Sequence, residues 1–477
     1  LRIVIPPLLR LLMALFIVKG LFLMADSRPQ IYQGDSITFL QTAWDGYIPV
    51  ERSFVYGYML HSLALWLHSF HTVVLFQVLV STFSAWIIAI CLIRYFQVSF
   101  AIAAICSLLC ACEPLQLLME RYVMTECTAL FLFALFLLAA FEYLHAGKIL
   151  FLVLVQFAGV LLVSLRFNFL PEVLLTSMAL PLLTPGARSV MTKLCHCQMP
   201  SNRPLWRGMI VPLVLSVALS QGLLCGYRHL NGTLSNKPPA YLYADGYFLL
   251  SDFAPIVLRS DFPIPQDWNK IVGKLGYALS NPDKREEQRW HLDGICQVMI
   301  AEYGQDQSNQ LARQTALHAL ERDPLAAIRL SAFTFSEYFN DQILQAHLKI
   351  GEDYNRRLTD SDLLQFRERF HEDLQSPNPS RDTVTKNYHR ASGVWIRLLL
   401  VSPAIFALFL IVRHNHVTVY SVICLTLAIM FFLNATVTVE SPTPRYLIGM
   451  AWLFFLILGV MGSDLNRFLF TTGNREK

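Results

Sequence analysis

Two acids and three cations stand inside or at the ends of apolar runs of this chain, where an ionisable side chain is costly and is by default a candidate for function. Asp35 lies in "YQGDSITFLQTAWDGYIPVERSF", directly after the first apolar run, and Glu126 opens a later run in "MERYVMTECTALFLF". Lys19 falls within the first run, Arg166 closes another in "VSLRFNFLP", and Arg445 precedes the last in "ESPTPRYL". Each has a plainer explanation. Asp35 could be the N-cap of an amphipathic segment from Ile37 to Trp44. Glu126 could pair with Arg121 or cap its own helix, and single cations at run ends commonly snorkel to the interface. Asp26 reads as an interface residue and Asp45-Gly46 as a turn. Glu120 and Glu126, six positions apart, differ by about 600° around a helix, so only one of them need enter a shared site. Together the acids offer a base and the cations an anion-binding group. A lipid-linked phosphate leaving group needs that combination.

The elements that must position these residues follow from composition. Of 477 residues, 55% are hydrophobic and only 15% charged, and the mean hydropathy is +0.45. Such a chain is an all-α polytopic membrane protein. The net charge of +4, with no basic tract interleaved with aromatics, excludes nucleic acid as an expected partner. Apolar runs of spanning length fall near 4–24, 72–95, 98–112, 124–143, 149–165, 169–183, 208–225, 394–412, 417–434 and 447–463, which predicts ten transmembrane helices. The first is followed by Asp26 and Arg28 rather than a small-x-small cleavage site, so it is expected to be an uncleaved span. Residues 54–69, with Arg52, Tyr56, Tyr58, His61 and His68 in and beside them, suit an interfacial or re-entrant helix.

Basic residues support this count. Arg2, Arg94, Lys148, Arg188, Lys193, Arg203, Arg207, Arg413, Arg467, Arg475 and Lys477 all fall on one side, the expected cytoplasmic one. The loops 25–71, 113–123 and 435–446 and the polar segment 226–393 then share the opposite side. The expected organisation is an N-terminal membrane module, 1–225, whose first outer loop is 25–71; a mainly helical extracytoplasmic domain, 226–393; and a C-terminal membrane module, 394–477. Most of the ten cysteines sit in apolar runs and behave as small hydrophobes. Cys225 and Cys296 could pair in an oxidising compartment, and Cys195-His196-Cys197 is an incomplete metal motif without an assigned role.

Four pieces, "GDSITFLQTA", "RYVMTECTALFLF", "LRFNFLP" and "ESPTPRYLIGM", resemble in order and side the polyprenyl-phosphate-dependent GT-C glycosyltransferases. The likeness is to the bacterial branch related to protein O-mannosyltransferases and the aminoarabinose transferase of lipid A, and it covers about 1–225 and 394–463. Asp35-Ser36 stands where many relatives carry two consecutive acids. The resemblance implies a GT-C-like bundle in a bacterial inner membrane, with both termini cytoplasmic. It also implies inverting transfer of a sugar from a polyprenyl-phosphate donor to a hydroxyl of a glycan, lipid or protein. Asp35 would be the general base, with Glu126 orienting the acceptor or holding Asp35, and the two acids could share a divalent cation, Mg or Mn. Arg166, Arg445, Tyr446, Lys19 and Arg52 would bind the phosphate, while Tyr32 and Trp44 would stack on the sugar or anchor the membrane interface. The alternatives are a lipid-linked oligosaccharide ligase or polymerase, and a lipid or sugar transporter. Against the latter stands the lack of inverted repeats and broken helix pairs.

Overall fold

A computed structural model describes residues 6–195, 205–349, 358–370, 383–413, 417–437, 439 and 441–472. Among these the chain is helical and without a sheet. The first part runs through α1 (Pro7–Ala25), α2 (Gln33–Asp45), α3 (Val55–Leu60), α4 (Phe70–Tyr95), α5 (Phe100–Ala111) and α6 (Pro114–Met119). Next come α7 (Glu126–Ala146), α8 (Ile149–Leu165), α9 (Leu170–Cys195) and α10 (Leu205–Ser235). The polar segment holds α11 (Asp245–Phe253), α12 (Trp268–Val272), α13 (Arg285–Trp290), α14 (Ile295–Tyr303) and α15 (Gln305–Arg322). It ends with α16 (Leu325–Glu337), α17 (Asp341–Leu348), α18 (Asp360–Phe370) and α19 (Val384–Arg390). The chain then returns to apolar helices, α20 (Gly393–Val412), α21 (Val419–Thr436) and α22 (Ile448–Thr472).

Eight helices among the described residues are long and apolar enough to cross a bilayer, which makes this an integral membrane protein. Each of the ten expected runs coincides with a helix among the described residues, but α5 with 12 residues and α8 with 17 are shorter than a full span. The expected ten is therefore eight helices of spanning length and two shorter ones. Pro114 prevents α5 from continuing, because proline disfavours helix at the preceding residue and lacks the amide to extend one. Residues 55–65 form α3 and one π-helical turn, His61–Leu65, too short to span. Gly57 lets α3 press against α2, since a Cβ there would lie 2.3 Å from Thr42 Cβ.

Helix faces follow the sequence pattern. In α1, Leu11, Leu15 and Lys19, four apart, are buried, while Met13, Ile17, Leu21 and Met24 are exposed on the lipid-suited face. The polar segment has its own core around Tyr247, Leu250, Phe262, Ile295 and Met299. It is tied to the bundle where Tyr243 N donates to Val50 O (2.7 Å), Ser331 Oγ to Thr436 Oγ1 (2.9 Å) and the Tyr338 hydroxyl to Ala435 O (3.3 Å). Cys225 is exposed and Cys296 buried, and both are free thiols rather than a bridge. His196 and Cys197 of the incomplete metal motif, and Arg2, Arg203, Arg475 and Lys477 of the basic set, lie outside the described residues.

Candidate functional site

The start of α7, the end of α8 and the turn before α22 meet at one end of the bundle, beside the loop that leaves α1. That loop is stitched to the segment before α7: Gln30 N donates to Arg121 O (2.7 Å) and Val123 N to Gln30 O (2.9 Å). Ser36 Oγ donates to Val123 O (2.9 Å) and accepts from Tyr32 N (2.8 Å), which fixes where α2 begins. Asp35 is thus not an N-cap. Tyr32 holds the cap position without a side-chain bond, and Asp35 lies in the first helical turn. Its Oδ1 accepts from Arg52 Nη2, and its Oδ2 from Arg445 Nη1 at 2.5 Å.

Glu126, in the first turn of α7, pairs with Arg166 Nη1 at 2.5 Å rather than with Arg121. Arg166 follows α8 in extended conformation (φ −142°, ψ 107°) and its Nε donates to Asn168 Oδ1 at 3.3 Å. Asn434 Nδ2, from α21, donates to Asn168 O at 3.0 Å and also to Glu172 Oε1. Arg445 sits in the 3-10 turn Pro444–Leu447 that leads into α22. The Tyr446 ring is shared by two guanidinium groups, Arg166 at 5.2 Å and Arg445 at 5.5 Å, and Arg445 also lies over Tyr32 at 4.9 Å. Arg445 Nε is buried without a hydrogen-bond partner among the described residues. Two cations drawn to one ring repel each other, which an anion between them would relieve.

Tyr32, Asp35, Arg52, Glu126, Arg166, Asn168, Arg445 and Tyr446 line a cavity of about 480 Å³. Burial alone would raise the Asp35 carboxyl, but Arg445 and then Arg52 more than offset it and hold the group below the ordinary aspartate range. Burial pushes the Tyr32 phenol up to about 12, with Arg445 opposing the rise, so its hydroxyl stays protonated near neutral pH.

Of the residues singled out by sequence, Asp35, Glu126, Arg166, Arg445, Tyr446, Arg52 and Tyr32 all border this cavity. Lys19 and Trp44 do not. Lys19 belongs to the buried stripe of α1 and points into the bundle, where Glu120 accepts from Lys19 Nζ, from Ser81 Oγ and, at 2.9 Å, from Arg121 Nη1. Arg121 Nε continues to Asp26 O (2.6 Å), and Asp26 accepts from Thr385 Oγ1. Trp44 stands nine residues beyond Asp35, about 900° around α2 and hence on its opposite face. There it packs on Phe366 and Phe370, with Arg369 over its ring at 5.3 Å.

Sequence reasoning missed the far wall of the cavity, where Tyr241, Phe248, Glu286, Arg289 and Trp290 come from the polar segment. The charge-dense run "KREEQRW" and the tyrosine-rich "NKPPAYLYADGYF" were the available signals. Asn168, Glu172 and Asn434 were missed as well, being ordinary polar residues until the fold joins them.

The residues present do not fit a divalent cation. Both Asp35 oxygens face guanidinium groups, Glu126 pairs with a third, and no group of three His, Cys, Asp or Glu with metal-binding proximity occurs among the described residues. No known protein family, curated protein or solved structure matches this chain.

Proposed function

We propose that this protein is an integral-membrane inverting glycosyltransferase of the GT-C type, which moves a sugar from a polyprenyl-phosphate donor to an acceptor hydroxyl at the extracytoplasmic face. One observation carries this reading: Asp35 is bound to Arg445, and Arg445 shares the Tyr446 ring with Arg166, all beside one cavity at the end of the spanning helices. The charge bias of the loops supports cytoplasmic termini, and the resemblance of the four motif-like pieces to a bacterial branch supports a bacterial inner membrane.

Guanidinium groups match phosphate oxygens with two parallel N–H donors, so Arg445 and Arg166 are suited to the donor phosphate. A phosphate at Arg445 competes with Asp35 for the same N–H groups and frees Oδ2 to face the acceptor. An aspartate held below its ordinary range cannot ionise an alcohol beforehand. The proton therefore passes to Asp35 as the acceptor oxygen attacks the anomeric carbon and the bond from that carbon to the phosphate oxygen breaks. Charge growing on the departing polyprenyl phosphate is met by guanidinium groups already in place. Glu126 holds Arg166 in position, and Arg52 steadies Asp35 from the other side.

The test is Asp35→Asn in protein reconstituted with a radiolabelled polyprenyl-phosphate sugar. Transfer is expected to be lost while thermal melting stays near wild type. A folded Asp35→Asn protein with intact transfer would remove the proposed base. Label crossing the vesicle without becoming covalently attached would instead favour transport.

A further inference from the structure

The hairpin of α16 and α17 reaches down the side of two spanning helices. Ser331 Oγ donates to Thr436 Oγ1 (2.9 Å) at the end of α21, and four residues further along α16 the Phe335 ring packs on Phe432, with 5.6 Å between centroids. Phe432 lies four residues back from Thr436, so α16 descends beside α21 in the opposite direction. Arg397, four residues after Gly393 at the start of α20, holds the tip of the hairpin: its Nε donates to Tyr338 O at 3.0 Å and its Nη2 to Asp341. Helix α17 then returns toward the start of α20, where Gln345 Nε2 donates to Arg390 O (3.3 Å) and a Cβ on Gly393 would lie 3.7 Å from Leu344 Cδ2. The tip therefore sits about one helical turn, or roughly 6 Å, inside the ends of α20 and α21.

The face that this hairpin leaves open is apolar. Leu325, Ile328, Ala332 and Phe335 of α16 fall within about 80° of one another at 100° per residue. The first three are exposed and Phe335 is half-buried. At the tip the Phe339 ring lies 5.0 Å from that of Phe335 and is exposed. This stripe runs into the exposed apolar surface of the spanning helices, Leu433 next to Phe432 on α21 and Val394 and Leu398 beside Arg397 on α20. Helix α15, which precedes α16 in the chain, exposes Gln310, Arg313, Gln314 and Glu321 and one large apolar residue, Leu317. An apolar stripe that continues the flanks of spanning helices meets the same solvent as they do, and that solvent is lipid.

We propose that the tip of the α16–α17 hairpin is a lipid-seated anchor of the polar segment, with Phe335 and Phe339 at the acyl-chain boundary of the adjoining leaflet and Asn340, Asp341 and Arg397 among its headgroups. This stands independently of the glycosyl-transfer reading, since no reaction enters it. It bears on the cavity through one bond. Arg285 Nη2 of α13 donates to Thr334 Oγ1 of α16 at 2.9 Å, and α13 brings Glu286, Arg289 and Trp290 to the cavity wall. That wall is then carried by a helix resting on lipid.

Nitroxide labels on the full chain in phosphatidylcholine nanodiscs, one copy per disc, test the seat. In a C112S, C195S, C197S and C225S background, a label is placed by Phe339→Cys or Ala332→Cys, with Leu433→Cys as the lipid reference and Gln314→Cys as the water reference. Each label is read by its collisions with oxygen, which concentrates in acyl chains, and with a nickel chelate, which stays in water. The oxygen-to-nickel ratio at Phe339 is expected to lie close to that at Leu433, and the ratio at Ala332 between those at Phe339 and Gln314. Three results would overturn the proposal. A ratio at Phe339 equal to that at Gln314 would place the tip in water. Exclusion of both reagents at Phe339 while they reach Leu433 would mean that protein covers the face. A higher ratio at Ala332 than at Phe339 would reverse the direction in which the hairpin enters the bilayer.

Discussion

Two buried charge clusters lie in this bundle, six residues apart along one stretch of chain. Glu120 joins Lys19, Arg121 and Asp26 among packed helices, and none of these four borders the cavity. Glu126 joins Arg166 at the rim of a cavity, with Asp35, Arg52 and Arg445 around it. Both contain acids and bases at membrane depth, where charge is expensive. They differ in what the polar atoms face. In the sealed cluster Glu120 accepts from Lys19, Ser81 and Arg121, all within the protein, and the cluster ties α1, α4 and the end of α6 together. In the cavity cluster two guanidinium groups crowd one tyrosine ring. A buried ion is therefore weak evidence for a site, whereas a buried ion bordering a cavity is stronger evidence.

The largest expected effect is on stability and belongs to the sealed cluster. Glu120→Ala leaves Lys19 buried and uncompensated, which typically costs about 3 to 5 kcal/mol. Thermal melting should fall steeply, while transfer per folded molecule holds near wild type. Lost transfer at unchanged melting would mean that this cluster, too, does chemistry. Arg445→Ala should show the opposite pattern. Removing one preorganised donor to a developing anion costs about 2.7 to 4 kcal/mol in the transition state, or 100- to 1000-fold in kcat. Melting should move little, because Asp35 keeps Arg52.

The helices were legible because each is a long apolar run, and the sidedness of the charged run ends was legible from the alternation of basic loops. Depth, however, is not direction. Lys19 is grouped with the phosphate ligands as a cation within the first span toward the outer face, yet its spacing of four and eight from Leu15 and Leu11 marks the buried stripe of α1. Trp44 is expected to stack on the sugar or anchor the interface, and a segment expected from Ile37 to Trp44 says nothing of where it lies relative to Asp35. With α2 begun at Gln33, about 100° per residue sets the two side chains on opposite faces. The Asp35–Arg445 bond joins residues 410 positions apart, and no local pattern encodes it. The far wall, from Tyr241 to Trp290, exists only because the polar segment folds over the bundle.

Acid separates the two clusters in a second way. His389 lies on α19, which also supplies Thr385 to the sealed cluster, and burial, with Arg390 nearby, lowers its pKa to about 4. A base depressed in the native state leaves the unfolded chain binding more protons as pH falls. Stability is then intact above about 6.5 and lost progressively down to about 4, roughly 3 kcal/mol in all. His347, also lowered to about 4 by burial, adds a loss of the same sign. Melting followed from pH 7 to 4 should show this decline, and His389→Leu should flatten part of it. Asp35, held low, stays paired across the same range, so transfer per folded molecule should not follow the melting curve. A parallel loss of both would place a titrating group in the cavity.

The smallest expected effect asks whether the cavity cluster also leans on sealed polar neighbours. Glu172 accepts from Asn434, Asn434 donates to Asn168 O, and the Asn168 side chain accepts from Arg166. Glu172 touches no part of the cavity, so it is a positioning residue acting through Asn434. Glu172→Gln keeps the carbonyl oxygen that Asn434 needs, whereas Glu172→Ala removes it. One neutral hydrogen bond is worth about 1 kcal/mol, so the alanine variant should weaken polyprenyl phosphate binding about fivefold, and the glutamine variant should restore it. Asn168→Ala should cost a similar amount, and the Glu172→Ala/Asn168→Ala double variant should cost less than the sum, since both act on one arginine. Additive losses, or a glutamine variant no better than alanine, would show that Glu172 supports the packing of α9 against α21 and does not hold Arg166 in place.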